Sequence, residues 1–377
     1  MSSFVNPSSG FHATALSAMP SVTNPNNLSI ITGAPTRFHG ISGNYYLDRS
    51  TGTEHMVLDD TLVRGSTILA QMADAGLRVA AITAKDKLRK IINRGLFPGK
   101  NAICFSAQNS HDCNDSTHGI SNVETWLGRP TPPQYSSQLS LFVLDAGLQL
   151  LREKRAHLFY LTLSDYVQHK HAPRSLEANT FLAEIDARLG EFVQLGALVA
   201  VTGDHGMSDK CDEDGHPNIL FLEDVLTSKW PECGARVICP IADPFVRHHG
   251  ALGGFVRVHL TLTKDSDVGG IVQEMVEYCH QLPQVEAAYT GGEAAALFEM
   301  PKDREGDLVV IARSDAVIGG REDEHDLALL QGHRLRSHGG LSEQAIPLLR
   351  SMPMEVRQED EGRVWRNFDV FDIALNY

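Results

Sequence analysis

From about residue 57 the chain alternates helical and strand-like hydrophobic patterns. Ser66–Gly76 carries apolar residues at helical spacing and stops at a glycine, a common C-terminal signal. Arg78–Thr83 follows as a short apolar strand, and Lys85–Lys90 reads as a basic helix or loop. Ala102–Phe105 is strand-like, Ser136–Glu153 amphipathic, His157–Leu163 an apolar strand, Arg174–Leu195 a helix and Ala197–Thr202 a strand. Buried apolar strands alternating with helices predict an α/β fold with a mostly parallel sheet flanked by helices. In such sheets, ligands bind beyond the carboxyl ends of the strands. Asp165 and Asp204 both fall just past such ends.

From about Trp230 the pattern changes. Ala235–Ile241 and Phe255–Leu260 read as strands, Val268–Leu282 as a helix, Val285–Tyr289 as a strand, Glu293–Glu299 as a helix and Asp307–Arg313 as a strand. That order predicts a smaller α+β unit. The expected division is a core over residues 1–229, an inserted α+β cap over 230–331, and a return to the core over 332–377. The N-terminus differs from both units. Met1 to Thr36 holds no Asp, Glu, Lys or Arg, and the residues before Ser21, rich in Ser, Gly, Ala and Pro, predict irregular structure.

Composition narrows the functional classes. The 377 residues suffice for a large core carrying an insertion, and 42% hydrophobic with 21% charged content fits a soluble globular protein with no membrane span. A formal net charge of −14 argues against nucleic acid or an anionic membrane as the partner. An anionic substrate then needs local positive charge from metal and lysines. The six cysteines contain no C-x-x-C pair, and the N-terminus lacks a secretory layout, so a reduced, cytoplasmic protein is expected.

Three clusters carry the candidate chemistry: Ser164–His169, Thr202–Met207 and Ser337–Gly340. Asp and His suit zinc and related divalent ions, and three such clusters from distant sequence imply one assembled site. Asp165 and His169 are four residues apart, so one helical face can present both; the bland alternative is a helix cap beside an exposed histidine. Asp204 and His205 lie between glycines on a turn after a strand, where the aspartate could equally cap the next helix. His338 alone is weak. His171, His216, His248 and His249 are further histidines, most of them structural or outer neighbours on this reading. Thr23, in the proline-bounded loop Pro20–Asn27, is a hydroxyl nucleophile if a metal lowers its pKa, or otherwise a cap of the helix expected over Asn26–Thr32. Asn44 could donate to a phosphoryl oxygen. Lys85 and Lys87 follow a strand, and their spacing alone favours a solvated basic face.

Taken together, PSVTNPNNLSIITG (from Pro20), HGISGNYYLD (from His39), TAKDKLR (from Thr83), LTLSDYVQHKHAP (from Leu161), TGDHGM (from Thr202), HHGAL (from His248) and SHGG (from Ser337) resemble the phosphonoacetate hydrolases of the alkaline phosphatase superfamily. The resemblance runs in order from about residue 19 nearly to the C-terminus. It implies a dizinc enzyme that cleaves the carbon–phosphorus bond of phosphonoacetate to acetate and phosphate. Asp165, His169 and His338 would hold one zinc; Asp204, His205 and the nucleophile Thr23, with an N-terminal aspartate, would hold the other. Asn44 would grip the phosphonate oxygens, Lys85 and Lys87 the substrate carboxylate, with Lys90 nearby, and His169 and His338 would border the substrate. The departure is that aspartate, which the family carries at the end of a first strand. The stretch before Thr23 has no acidic residue and no strand-like pattern, so the second zinc site is expected to be impaired. The alternatives are a nucleotide phosphodiesterase or phosphomonoesterase of the same superfamily, or an inactive truncated homologue. The resemblance leaves a homodimer open.

Overall fold

Val79–Thr83 and Ala102–Ser106 are apolar or small at nearly every position and buried at all of them, the signature of strands covered on both faces. The computed structural model, which describes residues 2–6, 8–243, 249–261, 268–330, 332–355 and 357–377, pairs them in parallel. Leu158–Thr162 adds to the other edge of Val79–Thr83, also in parallel, with Thr83 opposite both Ser106 and Thr162. The three strands therefore end at one level, and the chain leaves them through Lys85 and Asp165. Alternation sorts their side chains. Val79, Ala81 and Cys104 pack with Leu28, Leu69 and Ile91, whereas Ala80, Ile82 and Phe105 pack with Leu139 and Phe142.

A second three-stranded sheet is antiparallel. Ala345–Arg350 lies between Phe11–Leu16 and Ala200–Thr202. The first of these overturns the expectation of irregular structure before Ser21. Its sequence, FHATAL, sets Phe11 and Leu16 at the ends of a run of His, Ala and Thr with little local strand signal, and the strand exists because Ala345–Arg350 supplies the ladder, from Phe11 opposite Arg350 to Leu16 opposite Ala345. Ala15 is buried, and Phe11 meets Trp365 edge-on at 5.9 Å between centroids. Leu158–Thr162 and Ala200–Thr202 are the end strands of their sheets among the described residues. Both are half-buried, and their side chains enter the same two apolar clusters, Leu158 and Tyr160 with Ala200, and Leu161 with Ala197 and Val199.

Residues 236–312 hold a four-stranded antiparallel sheet in the order Arg236–Ile238, Phe255–His259, Leu308–Ala312, Val285–Thr290. Val256, Val258 and Val310 face the helix Val268–Cys279, while Phe255, Val309 and Ile311 face Gly291–Leu297 and Met19. The chain then returns, pairing Arg336–Ser337 with Ser208–Asp209.

A buried ion pair fastens this return segment. Lys210 and Glu343 are 0% exposed and 2.9 Å apart; Lys210 also donates to the Ser314 carbonyl, and Glu343 accepts from the Gly340 amide beside His338. Removing one partner strands the other charge without water. Lys210→Met should therefore cost about 3–5 kcal/mol in denaturant unfolding, and Lys210→Met/Glu343→Leu should recover part of the loss.

Candidate metal centre

The end of the parallel sheet sets the first carboxylate. Asp165 follows Leu158–Thr162 and occupies the N-cap position of the short helix Tyr166–Lys170, yet its side chain makes no cap bond. It turns to His169 one helical turn on, with 3.0 Å between Asp165 Oδ2 and His169 Nε2. The helix-cap alternative thus fails at both residues, because His169 is only 5% exposed. His338 Nε2 lies 3.8 Å from the same oxygen and His205 Nε2 3.9 Å from it. Asp204 Oδ2 is 3.7 Å from His205 Nε2, and the His205 and His338 rings stack at 3.5 Å between centroids. The ligating atoms of Asp165, His169 and His338 all lie within 4.8 Å of one another.

Hydrogen bonds fix which nitrogen faces inward. His169 Nδ1 is 2.9 Å from the Arg336 carbonyl, His205 Nδ1 2.9 Å from that of Gly206, and His338 Nδ1 2.8 Å from that of Ser21. A carbonyl only accepts, so each Nδ1 donates, and a ring in its neutral form presents an Nε2 lone pair to the centre. His205 Nε2 is buried without a hydrogen-bond partner among the described residues. Lone pairs converging on carboxylates repel unless a cation lies between them. The donor set, nitrogen and carboxylate oxygen, fits a divalent ion of the zinc type.

Protonation states agree. Burial drives the His338 imidazole well below its ordinary value, and His205 and His169 add to the effect. Burial alone would raise the Asp165 carboxyl, but His169, Lys85 and His205 hold it well below the usual carboxylate range. Both groups are ready to ligate without shedding a proton.

Thr23 stands beside this cluster. It is the first residue of the helix Thr23–Thr32, which begins three residues before the expected Asn26, so Val22 and not Thr23 takes the cap position. Asn27, one turn on, donates to the Thr23 carbonyl at 3.0 Å and to Asp204 Oδ2 at 3.2 Å, and itself accepts from the Tyr160 hydroxyl at 2.7 Å. Burial and the Asp204 charge push the Tyr160 hydroxyl well above its ordinary value, so it stays a donor. The approach to Thr23 is stapled by Asn26, whose amide nitrogen reaches the carbonyls of Ala18, Pro20 and Val22. Asn44 is 3% exposed; its Oδ1 accepts from the Asn24 amide at the helix start, and its Nδ2 lies 3.4 Å from the Ile241 carbonyl.

The lysines separate. Lys85 Nζ is 3.7 Å from Asp165 Oδ1, and Lys87 is buried in an ion pair with Asp243. Burial draws the Lys87 ammonium down, which Asp243 opposes. The solvated-face reading fails for buried Lys87 and for Lys85, largely covered beside Asp165; the neighbouring Lys90 is half-exposed and 3.5 Å from Asp86. His249 stacks on His169 at 4.9 Å, in line with an outer neighbour. His171 lies near Glu177 and His333, and His216 is exposed beside Asp212, both outside the cluster. His248 lies outside the described residues. Sequence reasoning missed Asn27, Tyr160, Asp243 and the Arg336 carbonyl. Asn27 was findable, four residues after Thr23 on one helix; the others have no local signal.

This chain belongs to the type I phosphodiesterase / nucleotide pyrophosphatase family, which it matches over residues 1–341. Its fold is alkaline-phosphatase-like. Within that class it is similar to phosphonoacetate hydrolase from Sinorhizobium meliloti 1021, solved in crystals with phosphonoformate and with phosphonoacetate. The identity is 44% and the TM-score 0.89, over 97% of this chain and 87% of that one. A phosphonoacetate hydrolase from Penicillium oxalicum is 71% identical over 31 residues, 8% of this chain; the chain spans 43% of that curated relative's length. Murine ectonucleotide pyrophosphatase / phosphodiesterase 5 shares the fold at 14% identity and a TM-score of 0.59, over 97% of this chain and 86% of that one. Among the described residues no helix is long and apolar enough to cross a membrane, and all six cysteines are buried and unpaired.

One titration follows from the HGISGN segment. His39 Nδ1 accepts from the Ile41 amide and Nε2 donates to Ser29 Oγ, so the ring is neutral; burial, then Arg304, lowers it from 6.5 to about 3. An unfolded chain takes up the proton that the folded one refuses. The stability is therefore present above 6.5 and lost as pH falls toward 3, by about 2 kcal/mol at pH 5. Denaturant unfolding of His39→Gln should show a flatter profile between those limits than the parent protein.

Proposed function

We propose that this chain is a metal-dependent hydrolase that cleaves the carbon–phosphorus bond of phosphonoacetate, giving acetate and phosphate. The observation that carries the reading is the convergence of inward-facing imidazoles and two carboxylates beside Thr23, with Lys85 against Asp165 and Lys87 close by. The relatives crystallised with phosphonoacetate and phosphonoformate support the substrate class. Asp165, His169 and His338 would hold one zinc, and Asp204, His205 and Thr23 a second. Bound there, the ions would lower the pKa of the Thr23 hydroxyl and neutralise phosphoryl oxygens.

The chain's own residues supply the remaining roles. Thr23 Oγ gives up its proton to solvent and forms a bond to phosphorus as the carbon–phosphorus bond breaks. The electron pair leaves on carbon, spreads into the carboxylate as an enolate, and takes a proton from water to give acetate. A second water releases phosphate from Thr23. Lys85 and Lys87 hold the carboxylate onto which that charge spreads. Asn44, at the start of the Thr23 helix, borders the phosphoryl oxygens. In this reading residues 1–229 and 332–377 form the core that carries the site, and 230–331 the inserted cap. A second zinc there, with Asp204 as its one assigned carboxylate, would be the more weakly held.

The named family favours a second reading, hydrolysis of nucleotide or other phosphodiesters. Assaying phosphonoacetate beside a nitrophenyl phosphodiester separates the two. Faster turnover of the diester would reject phosphonoacetate as the substrate.

Thr23→Ala should abolish turnover while leaving the unfolding transition nearly unchanged; near-parental turnover would reject Thr23 as nucleophile. Neutralising Lys85 and Lys87 together should weaken phosphonoacetate hydrolysis by about 1–3 kcal/mol of transition-state binding, with a much smaller loss on an ester that lacks the carboxylate. Equal losses on both substrates would remove the carboxylate assignment. In His338→Ala, metal analysis of purified protein should show the first zinc depleted.

A further inference from the structure

The strand Phe255–His259 alternates between two environments. Val256 and Val258 enter the apolar cluster beneath Val268–Cys279, whereas Arg257 and His259 face the hairpin Tyr45–Asp48/Thr53–Met56. Between that hairpin and the strand lies a cavity of about 420 Å³, within the range of small-molecule sites. Its apolar wall is built by Ile41, Leu47, Val57 and Leu62, and its polar wall by Arg257, His259 and Arg304.

The charges around it balance in number but not in pairing. Asp303 is taken by Arg64, and Asp48 accepts from the Ser50 amide and hydroxyl. Arg257 pairs with Glu305, and Arg49 donates from Nη2 to both carboxylate oxygens of Asp307. Among the described residues Arg304 donates only from Nη1, toward the carbonyls of Gly40 and Leu62. Among the described residues it has no carboxylate at ion-pair distance; burial, then Arg64, draws its pKa down, and the more distant Asp303 opposes this only in part, a cost that a closer anion would relieve. His259, 5% exposed, leaves Nδ1 without a hydrogen-bond partner among the described residues. Burial, then Arg49 and Arg257, lowers it to about 4, so it adds a neutral polar nitrogen to a wall already rich in guanidinium.

We propose that this cavity is a second binding site, for a small organic anion whose charged head pairs with Arg304 and whose apolar body lies against Leu62 and Val57. The Nε and Nη2 of Arg304, without a hydrogen-bond partner among the described residues, offer the planar donor geometry that suits carboxylate and phosphonate heads alike. The site sits behind the metal centre rather than in it. Gly40–Gly43 forms one wall, and the next residue, Asn44, accepts from the Asn24 amide at the start of the Thr23 helix. Arg304 grips the Gly40 carbonyl, so an occupant drawing on the same guanidinium would act on the loop that sets Asn44. Binding itself does not depend on the reaction proposed above.

Benzoate and phenylphosphonate, with benzyl alcohol as the neutral control, can be titrated by ligand-detected NMR against metal-stripped protein. Saturable binding in the millimolar range is expected for either anion and none for the alcohol. The head that binds more tightly identifies the anion class. Leu62→Trp, which fills the cavity, should abolish binding, Arg304→Gln should weaken it about tenfold, and His338→Ala should leave it intact. Thermal unfolding is recorded for each variant, and Leu62→Trp decides the question if Arg304→Gln does not fold. Equal binding of the alcohol, loss in His338→Ala with retention in Leu62→Trp, or no saturable binding by a normally melting parent protein would overturn the proposal.

Discussion

Three backbone carbonyls decide the chemistry of this protein. Those of Ser21, Gly206 and Arg336 each accept an Nδ1–H, and with that bond they set the tautomer and aim of His338, His205 and His169. An imidazole free to exchange its tautomer would offer a donor to the centre as readily as a lone pair. None of the three carbonyls belongs to a long regular element. Their positions are set by the buried Asn26 amide beneath the Ser21 loop, by Glu343 holding the Gly206 amide through its carbonyl, and by the short pairing of Arg336–Ser337 with Ser208–Asp209. The burial of Asn26 and of the Lys210–Glu343 pair is thus tied to ligand direction. Each costs desolvation, and each is satisfied by bonds that also position a carbonyl.

Much of this was legible in the sequence where the signal was local. Asp165 and His169 share a helical face because they are four apart, and glycines around Asp204 and His205 announced a turn after a strand. Helices such as Gln138–Arg152 and Leu176–Gln194 follow from their apolar spacing. What escaped was non-local. Phe11–Leu16 has little intrinsic strand character and takes its conformation from a partner more than three hundred residues away. Asp243 became the counter-ion of Lys87 only through tertiary packing, and neither residue's neighbours in sequence hint at the other. Burial of Lys87 was likewise invisible, because a basic run reads as a solvated face until the fold covers part of it.

Charge shows the same contrast between global and local scale. The chain carries a formal net charge of −14, yet its strand ends place Lys85 and Lys87 within one turn of each other beside Asp165. A mean field that repels anions at long range leaves recognition to short-range contacts inside a partly desolvated cleft, where a single ammonium counts for more than it does in water.

The sheet arrangement gives the candidate ligands a structural meaning beyond the proposed catalysis. Asp165 is carried by the end strand of the parallel sheet, and Asp204 and His205 by the end strand of the antiparallel one. No ladder joins those two strands among the described residues; apolar side chains and the ligand cluster do. Apolar contacts resist separation but leave sliding along the strands comparatively easy, because they have no fixed direction. Ligand bonds are directional. An ion shared by Asp165 and the histidines would lock the relative height of the two sheets, and with it the distance from Lys85 to Thr23. Metal binding and the rigidity of the strand ends are then one equilibrium. Anything that loosens one of the three carbonyl-held imidazoles would lower both the affinity for the ion and the definition of the site it serves.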